Sequence, residues 1–186
     1  MDRASVSETE GCGFESHQAH MANRLILILD NIRSVLNVGS IFRTADAVKA
    51  EVWLCGISPT PEHSRIAKTA LGAEYSVKWR CFENTLDAIA IARKEIQGIK
   101  IVVVEQLEGS ENIWDVNFPA NVALVFGHEK DGVSKPAIDE ADQLVEVPML
   151  GKKESLNVAV VVGMVSYEVV RQWNRKCEKT NNGKKD

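Results

Sequence analysis

Three separated segments of this chain hold the polar side chains whose types and spacing suit chemistry. The first is Asp30-Asn-Ile-Arg-Ser-Val-Leu-Asn-Val-Gly-Ser-Ile-Phe-Arg43. Asn37 is placed to cap a helix, and Arg43 lies further along it among largely apolar residues. A guanidinium in that position can grip a phosphate or stabilise a forming oxyanion. A capping asparagine and an arginine paired with a carboxylate such as Asp46 would account for the same residues without a ligand. The second segment is Val125-Phe-Gly-His-Glu-Lys-Asp-Gly-Val-Ser134. Glycine allows close backbone approach to a ligand, and Glu129 can accept hydrogen bonds from an amine, a hydroxyl or an arginine. A surface turn with solvated charges fits this segment equally well. The third is Val147-Pro-Met-Leu-Gly-Lys-Lys-Glu-Ser-Leu-Asn157, an irregular stretch running into the apolar Val158–Val162. Ser155 reads as a helix N-cap. Asn157, a poor helix former two residues later, is left without a role by that reading.

Several ordinary sites are excluded. The first apolar run is not followed by GxGxxG, and GxxxxGK[ST] is absent, so common dinucleotide and nucleoside-triphosphate sites are not expected. HExxH, a Cys/His cluster and GxSxG are also absent, so neither a metal site nor a serine-hydrolase elbow is expected.

The elements that must position the three segments alternate between strand and helix. Arg24–Asp30 is a short continuous apolar run, as expected of a strand buried on both faces. Val38, Ile41, Phe42, Ala45 and Val48 then recur at helical spacing. Strands are predicted over Val52–Cys55, Tyr75–Trp79, Lys100–Glu105, Asn121–Phe126 and Leu144–Val147. Helices are predicted over Glu62–Leu71, Thr85–Ile96, a short piece capped by Ser134 with Pro136 in its first turn, and Ser155–Arg175. This alternation implies an α/β fold: a mostly parallel sheet with helices on both faces. In such sheets ligands sit beyond the carboxyl ends of the strands, where all three polar segments lie.

The 186 residues suit one domain, over 23–175, with 45% hydrophobic and 26% charged residues. Residues 1–22 lack periodicity and read as a disordered leader, with Ala-His-Met at 19–21 as a possible cloning junction. Residues 176–186 read as a polar, frayed tail. Much of the net charge of −4 lies in residues 1–20, where Asp2, Glu8, Glu10 and Glu15 oppose Arg3, so the remainder is near neutral. Near-neutrality is compatible with a basic face for nucleic acid. Cys12, Cys55, Cys81 and Cys177 are scattered without a CxxC pair, which suits a reduced, cytoplasmic setting. No apolar run reaches membrane-spanning length.

Taken together, the segments resemble the SpoU (TrmH-like) family of the SPOUT methyltransferases, over about residues 24–173. The matching motifs are Asn37-Val-Gly-Ser-Ile-Phe-Arg43-Thr-Ala, Phe126-Gly-His-Glu129-Lys-Asp-Gly132-Val-Ser, and Val147-Pro-Met-Leu-Gly151 followed by Ser155-Leu-Asn157-Val-Ala. His128 stands where many members have Ser or Asn. The resemblance implies a C-terminal deep trefoil knot. It also implies S-adenosyl-L-methionine bound around Glu105, Gln106, Leu107, Gly127, Val147, Met149, Ser155 and Leu156. It further implies a homodimer through the knot region and the C-terminal helix, with a site drawing on both subunits, and no metal. The implied reaction is methylation of an RNA ribose 2′-hydroxyl, with tRNA first and ribosomal RNA second; a catalytically silent RNA-binding module is the alternative. By the same resemblance Arg43 is the catalytic residue, proposed as general base; Asn37, Glu129, Ser155 and Asn157 are expected to hold it and the ribose in place, and Arg33 and Arg43 to contact RNA. An arginine, with a pKa of about 12.5–13.8, suits alkoxide stabilisation or phosphate binding better than proton removal.

Overall fold

In the computed structural model, which describes residues 23–182, the apolar runs pair side by side as strands of one sheet. The strands are β1 (Arg24–Asp30), β2 (Glu51–Cys55), β3 (Trp79–Phe82), β4 (Lys100–Val104), β5 (Glu111–Asn112), β6 (Asn121–Phe126) and β7 (Gln143–Glu146). Their order is β3-β2-β1-β6-β4-β7-β5, and every pairing is parallel. The helices are α1 (Val35–Val48), α2 (Ala67–Ala70), α3 (Ala73–Ser76), α4 (Thr85–Glu95), α5 (Lys135–Asp139) and α6 (Val158–Asn182).

The unbroken hydrophobicity of β1 follows from its central position. Leu25, Leu27 and Leu29 face a core shared with α1, α2, α3 and α6. Ile26 and Ile28 face a second core shared with α4 and α5. Side chains alternate across a strand, so a strand covered on both faces must be apolar at every position. Each such buried Leu or Ile contributes roughly 1.5–3 kcal/mol.

Three local expectations are corrected. The segment Tyr75–Trp79 is not a strand. Ala73–Ser76 is a helical turn with Tyr75 88% exposed, and the strand begins at Trp79. The helix predicted over Glu62–Leu71 contracts to Ala67–Ala70. Single turns precede it, with His63 N–H donating to Thr60 O and Ile66 N–H to His63 O, and left-handed Leu71 and Gly72 end it. The two-residue β5 lacks any alternation of its own and exists only because it pairs with β7. The last helix starts at Val158 and runs beyond Arg175 to Asn182. The proposed leader, 1–22, lies outside the described residues, as does the end of the tail, 183–186.

The C-terminal helix is tied to the connection before β6. Gln172 Oε1 accepts from Phe118 N–H, its Nε2 donates to Val116 O, and Trp173 Nε1 donates to Pro119 O. Glu168, 5% exposed, accepts from Gln172 and Arg171. The Arg171 guanidinium and the Gln172 amide outweigh burial and hold the Glu168 carboxyl below its usual range.

Candidate active site

The carboxyl ends of β4, β6 and β7 open into a cavity of about 480 Å³, within the roughly 300–1,000 Å³ usual for small-molecule sites. Val104, Phe126, Val147, Met149, Leu156 and Val161 supply apolar lining; Glu105, Gln106, Glu129, Ser155 and Asn157 supply polar groups. Gly127 also lines the cavity, and its glycine identity has a steric cause. A Cβ there would stand 2.1 Å from both Gly132 C and Val133 N. Only glycine lets the strand end fold this closely against the returning loop. Gly132 is similar: its φ is +72°, and a Cβ would meet Glu105 Oε2 at 2.6 Å.

Carboxylates hold that loop. Glu105 accepts from Val133 N–H through Oε2 (3.1 Å) and from Gln106 N–H through Oε1 (3.1 Å). Asp30, 2% exposed at the end of β1, accepts from Ser134 N–H (2.7 Å), Thr85 Oγ1 (2.6 Å) and Asn31 Nδ2 (2.8 Å). His128 Nδ1 accepts from the N–H groups of Lys130 and Asp131, each at 3.2 Å. Its ring nitrogen therefore does what a short polar Ser or Asn side chain would do in a turn.

At the rim, one hydrogen-bonded chain joins the three sequence segments. Ala159 N–H donates to Asn157 Oδ1 (2.8 Å), Asn157 Nδ2 to Asn37 Oδ1 (3.1 Å), and Asn37 Nδ2 to Glu129 Oε1 (2.8 Å). Glu129 also accepts from the backbone N–H groups of Arg33 and Ser34, both at 3.0 Å. Partial burial acts to raise the Glu129 pKa. The N–H groups of Arg33, Glu129 itself and Ser34, with the Asn37 amide, outweigh it and hold the carboxyl below its usual value. A carboxylate stabilised by these donors at the positive end of α1 is a weak base and a firm anchor.

Two capping expectations change. Ser34, not Asn37, caps α1: its Oγ accepts from Asn37 N–H, which frees the Asn37 amide for Glu129 and Asn157. Ser155 is not the cap of α6. Asn157 is, through its side-chain bond to Ala159 N–H and its carbonyl bonds to the N–H groups of Val160 and Val161. Ser34 stands three residues before Asn37, directly ahead of the periodic apolar positions, which is an ordinary start signal. Asp30 had its own signal, an acid closing a strand otherwise apolar after Arg24.

The other expected residues divide. Leu107 does not line the cavity; its N–H donates to Ser110 Oγ. Arg33 presents its backbone to Glu129, while the residue is exposed. Arg43 does not line the cavity either. It lines a separate depression with Ser40, Thr44, Ala47, Lys68, Thr69, Leu71 and Tyr167. The ion pair with Asp46 does not form, and Asp46 accepts instead from Ser76 Oγ at 2.5 Å. Within a single chain, then, the anchor network and the arginine stand at different places.

The family model described as the SpoU rRNA methylase family matches residues 24–167. The chain belongs to that family. It is 32% identical over 157 residues to the 23S rRNA (guanosine-2′-O-)-methyltransferase RlmB of Neisseria meningitidis serogroup B, covering 83% of this chain and 61% of that protein. It is 28% identical over 152 residues to the tRNA (guanosine(18)-2′-O)-methyltransferase of Escherichia coli, covering 80% of this chain and 63% of that protein. Among solved structures, the SpoU methyltransferase AviRb of Streptomyces viridochromogenes in complex with AdoMet superposes with a TM-score of 0.74 at 26% identity, covering 83% of this chain and 59% of that one. The chain thus spans about six-tenths of the length of these relatives. Among the described residues, no helix is long and apolar enough to cross a membrane, and no group of three His, Cys, Asp or Glu side chains could hold a metal.

Proposed function

We propose that this protein transfers a methyl group from S-adenosylmethionine to a ribose 2′-hydroxyl of RNA. The observation that carries the reading is the hydrogen-bonded chain Asn157–Asn37–Glu129, which joins all three family motifs at the mouth of one cavity. The cavity's mixed lining fits the donor: an apolar wall for an adenine, and exposed polar groups for ribose hydroxyls and an amino-acid end. Glu105, Gln106, Gly127, Val147, Met149, Ser155 and Leu156 would hold it. When bound, S-adenosylmethionine supplies a methyl group activated on a sulfonium, whose thioether leaves uncharged.

The protein's own contribution is alignment and charge stabilisation. Glu129 fixes the start of α1, and Asn37 and Asn157 fix the cavity mouth against it. Glu129 is no general base in this scheme, because its oxygens are committed to N–H donors that lower its basicity. Arg43 stabilises the alkoxide as the 2′-hydroxyl loses its proton. Since Arg43 lies outside its own chain's cavity, the complete site needs a homodimer in which Arg43 of one protomer reaches the cavity of the other. Exposed apolar side chains on these two helices support this: Leu36 on α1 is 53% exposed, and Val160 and Tyr167 on α6 are 51% and 56% exposed. The bonds from Gln172 and Trp173 to residues 116–119 support a knotted C-terminus, in which that connection wraps the last helix. The setting is cytoplasmic.

Transfer RNA is the first substrate to test. Ribosomal RNA is the second, favoured by the higher identity to RlmB. Tritiated methyl transfer into tRNA and rRNA, followed by mapping of the modified nucleotide, tests the reading. Label at a ribose 2′-oxygen is expected. Binding of S-adenosylmethionine without transfer to any RNA would overturn it in favour of a silent RNA-binding module.

A further inference from the structure

The imidazole of His128 is committed on one side only. Its Nδ1 accepts from the N–H groups of Lys130 and Asp131, inside a turn closed by reciprocal backbone bonds between His128 and Gly132. Two N–H groups aimed at one nitrogen require a lone pair there, so the proton of the neutral ring sits on Nε2. Asp131 Oδ2 also stands 3.1 Å from Nδ1, and an imidazolium would pair with it. Nε2–H is a donor in both forms. It has no partner among the described residues, although the side chain is only 18% exposed and the residue lines the cavity at the ends of β4, β6 and β7. Lys130 lines the same cavity, and its ammonium likewise has no partner among the described residues. No other lysine or arginine lines it, whereas four carboxylates do: Glu105, Glu129, Glu146 and Glu154. The amino-acid end of S-adenosylmethionine carries one ammonium and one carboxylate. The ammonium has several acidic groups to meet. The carboxylate is repelled by those groups and has two unpaired donors to meet, Lys130 Nζ and His128 Nε2–H.

We propose that His128 and Lys130 form the subsite for the α-carboxylate of S-adenosylmethionine, with His128 Nε2–H and the Lys130 ammonium donating to it. The assignment rests on the donor cavity described above and adds two residues to it. The imidazole then has two duties: Nδ1 shapes the turn that presents Glu129, and Nε2–H fixes the far end of the donor. Holding that end restricts rotation about the bonds that lead to the sulfonium, and so serves alignment. Lys130 supplies a charge that salt screens, and His128 a directed hydrogen bond in a less exposed place, so the two contributions are separable.

The test uses the full chain and calorimetric titration with S-adenosylmethionine and with its decarboxylated analogue, which differ only in the carboxylate. Wild type is expected to bind the intact compound about tenfold more tightly. A cavity acting through its acidic groups alone would instead favour the decarboxylated compound, which carries one more net positive charge. His128→Asn keeps an acceptor at the Nδ1 position for the turn and removes the far nitrogen. It should weaken binding of S-adenosylmethionine about tenfold and leave the decarboxylated compound within about twofold. Lys130→Met should weaken binding of S-adenosylmethionine about threefold, an effect that shrinks as salt is raised, and should not weaken the decarboxylated compound. Lys94→Met, an exposed lysine on α4 across the sheet, should change neither affinity. With saturating tRNA, His128→Asn should raise KM for S-adenosylmethionine more than it lowers kcat. Equal weakening of both compounds in His128→Asn overturns the subsite, because the imidazole would then serve the turn alone. So does an unchanged affinity for S-adenosylmethionine with a raised KM for tRNA, which would place Nε2–H against RNA. A wild-type protein that discriminates the two compounds as expected but methylates no RNA would refute the methyl-transfer reading alone.

Discussion

Glu129→Gln removes one charge while keeping the shape of the side chain, and its cost can be worked from the contacts. Glu129 Oε1 accepts from Ser34 N–H and Asn37 Nδ2, and Oε2 from Arg33 N–H. The best glutamine orientation keeps its oxygen toward Ser34 and Asn37. Its NH2 then faces the Arg33 N–H, donor against donor. One charge-assisted bond, worth about 1.5–3 kcal/mol, is lost, and the other two become neutral and weaker. The favourable placement of a negative charge at the start of α1, about 0.3–1 kcal/mol, is also lost. The residue is exposed, so water screens these terms, and a net destabilisation of about 1–2 kcal/mol is expected. The pH dependence follows from the lowered carboxyl pKa of Glu129. A depressed folded-state value means the stabilisation is complete above the unfolded-state pKa of about 4.3 and is lost as pH falls through the folded value. Urea denaturation should therefore give a constant gap between wild type and Glu129→Gln from about pH 6 to 8, narrowing below about pH 4.3. A gap that stays constant or widens on acidification would refute the hydrogen-bond assignment.

Arg43→Ala should abolish methyl transfer while leaving S-adenosylmethionine affinity by calorimetry within about twofold, because the cavity that fits the donor is lined without Arg43, whose assigned role is to stabilise the alkoxide; normal turnover would remove that role. Gly39→Ala should destabilise by about 1–3 kcal/mol in urea, since the new Cβ would stand 2.0 Å from Thr69 Oγ1 and 2.7 Å from Ile66 O. A neutral effect there would mean that α1 and α2 can separate freely. Asp30→Asn should lower stability by about 1–3 kcal/mol, measured by thermal unfolding, because an amide cannot accept from all of Ser134 N–H, Thr85 Oγ1 and Asn31 Nδ2 in a site 2% exposed. An unchanged melting temperature would show that the carboxylate is not what holds the 127–134 loop.

The sequence by itself determined the α/β class, the parallel pairing and the three chemical segments, because each is written in local patterns. The apolar run 24–30 can only satisfy both its faces in the middle of a covered sheet. Polar segments at strand ends can only gather at one edge of it. The motif match supplied the chemistry as well. What the sequence could not assign was partnership between residues far apart in the chain. Asn37 reads as a local cap, and the cap reading of Ser155 leaves Asn157 without a role; only the fold makes Ser34 and Asn157 the caps and turns Asn37 into the link between Glu129 and Asn157. Likewise β5 exists only beside β7, and Gly39 is a glycine because α2 crosses α1 there. The separation of Arg43 from the cavity is the largest such difference. The motif puts Arg43 and Asn37 on one helix, but a helix turns its residues through successive directions, and packing against the sheet sets which of them faces which depression.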